Sequence, residues 1–143
     1  MPYDYEPIYN KVEQSFFTKP DAINEFSIMI KGAYTSLDVS LISSTVYCVS
    51  GFNPQQKWLK AKLSFPDAIK GALQVVLDGD VMPGTGVDYA TNWETYFDQQ
   101  SGIVCIGQPS FTDQVVNVQF NCNTIAGVMN QTLVAIWIKP KFI

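Results

Sequence analysis

The chain of 143 residues is of single-domain length, with 47% hydrophobic and only 15% charged residues, well short of the quarter usual for soluble domains, which excludes a disordered polymer. All nine basic residues are lysine and histidine is absent, against thirteen acidic residues and a net charge of -4. Histidine triads and histidine-bearing zinc sites are therefore excluded, and phosphate-driven nucleic-acid binding is disfavoured.

Residues 1–22 read as a separate arm or short helix, because Ile8, Val12 and Phe16 form an i, i+4, i+8 stripe that starts just after Pro7. From residue 23 to 143 the period changes to two, which predicts one all-β domain. Phe26, Ile28 and Ile30 make a first strand, and Leu37, Val39 and Leu41 a second, with a phase slip that predicts a β-bulge near Leu41-Ile42. Leu59, Ala61, Leu63 and Phe65 alternate with Lys60, Lys62 and Ser64, as in a half-buried antiparallel strand. The run from Pro66 to Gly71 suits a helical turn, and Leu73, Val75 and Leu77 a strand ending at Asp78-Gly79. Residues 80–92 form the longest predicted loop. Trp93 to Phe97 and Ile103 to Ile106 read as a hairpin around Asp98–Gly102, and Val116 to Cys122 as a further strand. Thr132 to Lys139 is apolar on both faces, so it is either central in a sheet or covered by another chain. No internal repeat is visible. The sum is an antiparallel β-sandwich of seven to eight strands.

Cys48, Trp58 and Cys122 follow one another in the order, and at about the gaps, of an immunoglobulin-type domain, and Cys48-Val49-Ser50-Gly51-Phe52 is similar to the end of its second strand. Phe120 replaces the tyrosine of the tyrosine corner. The layout thus resembles an immunoglobulin-like sandwich. The resemblance implies a Cys48–Cys122 disulfide over a buried Trp58. The start of the chain has no basic region followed by an apolar one, which predicts a cytoplasmic protein, one released by a non-Sec route, or one whose leader is already removed; reduced thiols are the favoured expectation. No run approaches the ~18 apolar residues of a membrane-spanning helix.

Asp78, Asp80 and Asp88 could offer oxygen ligands to calcium, the one cofactor suggested, although such Asp-Gly-Asp runs are commonly plain turns. Asp88 or Glu94 paired with Asp98 would be the carboxylates for glycosidase chemistry. Asp88, Tyr89, Asn92, Trp93 and Tyr96 combine stacking rings with hydrogen-bonding groups, the composition of a glycan or lipid-headgroup contact. The competing reading makes Trp93 and Phe97 core residues of a strand and leaves only Tyr89 and Tyr96 exposed. So few charges also predict a covered apolar surface, by a homo-oligomer or another protein. The expectation is a non-enzymatic recognition protein. The alternatives are a membrane-active, pore-forming protein, similar in size and acidity to the aegerolysins, and a self-assembling subunit of a virion or phage tail.

Overall fold

The computed structural model describes residues 5–21, 25–30, 35–40, 42–76, 93–109 and 113–143, and the main chain of 86–89. Among the described residues, fourteen strands form two seven-stranded sheets. In the first, β1 (Glu6–Asn10), β2 (Ser15–Lys19), β5 (Val46–Phe52), β4 (Thr35–Val39) and β3 (Phe26–Ile30) run antiparallel in that spatial order. In the second, β9 (Thr95–Asp98), β10 (Ile103–Gly107), β13 (Thr132–Ile138), β12 (Thr124–Met129) and β11 (Val116–Asn121) do the same. Each five-stranded centre is flanked on both sides by parallel strands. These are β14 (Lys141–Phe142) and β8 (Gly86–Tyr89) in the first sheet, and β6 (Leu59–Lys60) and β7 (Ile69–Lys70) in the second. The sheets are therefore mixed, not purely antiparallel. Among the described residues the helical content is one 3-10 turn, Gln55–Lys57.

Both sheets contribute to one core. Tyr9, Phe16, Phe26, Ile28, Ile30, Leu37 and Val49 of the first are packed with Val104, Ile106, Phe120, Ile136 and Ile138 of the second. These are the alternate, inward positions of their strands, which is why period-two patterning locates them.

The expected N-terminal helix is a hairpin. Asn10 closes β1 by accepting hydrogen bonds from the N–H groups of Val12 (2.9 Å) and Glu13 (3.0 Å), and Gln14 supplies the positive φ of the turn (55°). Val12 stands at the tip, almost wholly exposed, so the apparent helical stripe joins two strands through a turn residue.

Three further expectations are corrected. The bulge of the β4–β5 pair lies between Asp38 and Val39, opposite an extra Tyr47, while Ile42 is in the following turn and Leu41 is outside the described residues. The expected Pro66–Gly71 helical turn is not formed; Ile69–Lys70 within it make the edge strand β7. Of the Leu59–Phe65 strand only Leu59 and Lys60 enter a ladder. The remainder runs extended across the outer face of the second sheet, where Ala61, Leu63 and Phe65 pack on Ile103, Cys105, Ile125, Ala135 and Trp137. That cover explains β13, which is central between β10 and β12 and has its outer face sealed by the protein's own chain.

The two sheets repeat one design. Asp98 accepts bonds from the N–H groups of Gln100 (2.9 Å) and Ser101 (3.4 Å) as Asn10 does from Val12 and Glu13, and Gly102 takes the positive φ of Gln14. The bulge recurs between Gly127 and Val128, opposite an extra Val134. Through these registers Ser15, Ser36, Cys48 and Ser50 on the outer face of the first sheet correspond to Ile103, Ile125, Ala135 and Trp137 of the second. The chain's cover lies over the apolar set.

Candidate functional site

The residues singled out in the sequence do not assemble into one platform where they can be placed. Trp93 packs against the core between the sheets, in keeping with its core reading, and an added Cβ on Gly107 would meet its Cε3 at 3.2 Å. Tyr96 lies on the opposite face of β9, against the Leu63–Trp137 cluster. Asp88 and Tyr89 belong to β8, paired with Met29 and Ile30, with only their main chain described. Asn92, Asp78 and Asp80 are outside the described residues. Among the described residues no three Cys, Asp or Glu side chains converge on a possible cation position.

Asp98 has a structural task. Its Oδ2 accepts the Leu63 N–H (2.9 Å) while Oδ1 holds the hairpin turn, so one carboxylate ties the covering segment to β9. The bond from Leu63 lowers its pKa first; burial opposes this, and the donors from Gln100 and Ser101 lower it further. Asp38 is the converse. Buried beside Cys48, it accepts from the Ser50 hydroxyl (2.9 Å) and the Cys48 thiol (3.4 Å), and desolvation, partly offset by these donors, raises its pKa.

All three cysteines are free. Cys48 is on β5 of the first sheet and Cys122 in the β11–β12 turn of the second, so the implied bridge is not formed. Burial, then the neighbouring Asp38, pushes the Cys48 thiol far up, and burial pushes Cys105 to about 12. A thiol this costly to ionise is a poor nucleophile. Trp58 packs instead on Tyr9, Phe97, Phe142 and Phe16, with ring centroids 4.8, 5.2, 6.4 and 6.2 Å away.

Asn53 organises this seam. Its side chain accepts from Trp58 Nε1 (2.8 Å) and donates to Thr35 and Thr95 (both 3.0 Å), and its carbonyl accepts from the Tyr9 hydroxyl (2.8 Å). Thr35 and Thr95 lie in different sheets. In the sequence Asn53 is marked only by the Asn53-Pro54 pair just after a strand, a turn signal that says nothing of its buried bonds.

Around the same seam the chain concentrates positive charge. Lys57 and Lys60 flank Trp58, with Lys62 beyond, and Lys139 and Lys141 precede Phe142. The Lys11 N–H donates to the carbonyl of Ile143 (3.0 Å), which brings the β1–β2 tip to the same place. All six of these lysines, of nine in the chain, are exposed, with Glu13 the acidic residue of that tip. Lys60 and Lys62 fit the solvated side of the expected Leu59–Phe65 strand; the pairing of β6 with β9 and of β14 with β1 sets Lys60 and Lys141 on the two edges that meet at Trp58 and Phe142.

Among the described residues no helix is long and apolar enough to cross a membrane. The chain matches no protein-family model and no curated protein.

Proposed function

We propose that the two sheets form a β-sandwich recognition module, not an enzyme, and that its contact surface is the lysine-bearing seam around Trp58 and Phe142. The partner carries phosphate, sulfate or carboxylate groups: an anionic lipid headgroup layer or an acidic glycan. The observation that carries this reading is that exposed Lys57, Lys60 and Lys141, with Lys11 at the adjoining tip, lie beside Trp58 and Phe142 in a protein whose net charge is -4. Flexible, strongly hydrated ammonium groups suit a surface of diffuse anions better than one fixed ligand. The non-catalytic side is supported by Asp98, Asp38, Cys48 and Tyr9, each held in hydrogen bonds within the fold. Open-ended assembly by strand addition is disfavoured at three of the four sheet edges, where β6, β7 and β14 are two residues long and each bears a lysine.

The test is co-sedimentation with phosphatidylserine-containing and purely zwitterionic vesicles, alongside binding to sulfated and neutral glycans, over a salt series. Binding to one anionic surface that fades as salt rises is expected. Lys60→Glu with Lys141→Glu should weaken it by at least about tenfold, at roughly 1 kcal/mol per lysine, and leave Tm nearly unchanged. No binding at low salt, or a double variant that binds like wild type, overturns the proposal.

A further inference from the structure

Strand ownership is reciprocal between the halves of the chain. The first sheet consists of β1 to β5 closed on both edges by β8 and β14, whereas the second consists of β9 to β13 closed on both edges by β6 and β7. Every edge strand therefore comes from the half that built the opposite sheet. Ile8 and Tyr9 face Lys141 and Phe142, and Tyr96 and Phe97 face Leu59 and Lys60. Even the closing bonds match: the Ile143 N–H donates to Tyr9 (3.0 Å) as the Ala61 N–H donates to Phe97 (3.1 Å). At the other edges Ile28 faces Val87, and Val118 faces Ile69.

Other bonds between the halves follow the same plan. Leu63 is held by Asp98, and Tyr5 by Asn121 through two hydrogen bonds (3.3 and 2.8 Å). Residues 73–76 remain with the first half, where Val46 donates to Leu73 and Val75 to Ser44 (both 2.8 Å). One covalent connection, residues 77–85, then joins residues 1–76 to residues 86–143.

We infer that the partner for this interface can be a second copy of the same chain: two chains trade their 86–143 halves and close as a strand-exchanged dimer. Each contact within one chain is remade between two, so the contact free energies cancel and chain concentration decides the outcome. A tethered half acts as its own partner at an effective concentration of order millimolar, so exchange is favoured when chains refold together near that concentration. This inference is independent of the lysine seam and its ligand.

The experiment inserts a protease site between Gly79 and Asp80 and refolds the chain from denaturant at ~1 mM, with the uninserted chain refolded alongside. Both are expected to give a dimer on size exclusion. Cleaving the inserted dimer should convert it entirely into monomer-sized particles, each holding one 1–79 and one 80–143 fragment. A contact dimer would keep its size after cleavage, which overturns the inference. So does the absence of dimer from the uninserted chain, or the release of free fragments when the native monomer is cut.

Discussion

Two buried aspartates show how neighbouring groups set the sign of a single charge. Asp98 is surrounded by N–H donors and sits below the usual carboxylate range, whereas Asp38 is desolvated beside two weaker donors and sits above it. The unfolded chain returns both to about 3.9. Asp98 therefore contributes stability that is present above that value and lost as pH falls through its lower, folded pKa. The contribution of Asp38 is complete below about 3.9 and is lost as pH rises through its raised pKa. Denaturant titrations of Asp98→Asn and Asp38→Asn against wild type, from pH 7 down to pH 3, check this. The gap between wild type and Asp98→Asn should be widest near neutrality and close on acidification, while the gap for Asp38→Asn should move in favour of wild type. Two gaps that ignore pH would mean that neither carboxyl is in its assigned surroundings.

At the scale of elements, segment 61–65 shows what alternation reports. Leu63 is buried and Lys62 exposed because an extended chain lies with one side on a sheet; a ladder is not required for that pattern. It also protects Cys105, which is buried in the same cluster as Leu63. In the native protein Cys48 and Cys105 should resist a thiol reagent and half-buried Cys122 should react. Leu63→Ala should cost about 2–4 kcal/mol and make Cys105 react, as read by mass spectrometry of labelled peptides. The same distinction marks how far the sequence was legible. β3, β4 and β11, whose apolar residues alternate along the sequence, and β10 and β13, which read as short apolar runs, were readable in place. β12 escaped because Thr124 to Met129 contains Gly127 and is buried along much of its length, leaving no alternation. Its turn escaped because Asn130 and Gln131 both take positive φ without the usual glycine. β6, β7 and β14 are two residues long, too short for any period, and the lysine seam depends on two of them. Of the aromatic site, only the core role of Trp93 could be read from its neighbours in sequence.

For the whole molecule, the duplicated design is invisible in sequence because the register is shared while the chemistry of the outer faces diverges: serines and Cys48 in one sheet, Ile103, Ile125, Ala135 and Trp137 in the other. Part of the apolar excess that predicted an external partner thus lies under the chain's own cover. The two halves meet at Asn53, a buried amide that spans both sheets through Thr35 and Thr95 and satisfies the indole of Trp58. Asn53→Ala removes three side-chain bonds at once and leaves the Trp58 N–H without its acceptor. The expected cost is about 2–4 kcal/mol, or a fall in Tm on the order of 10 °C. Because the edge strands clasp each sheet with the other half, the loss should appear as one cooperative transition shifted downwards. Calorimetry of Asn53→Ala decides the point: a transition that splits in two would mean the halves melt independently, and that the reciprocal edges contribute little to holding them together.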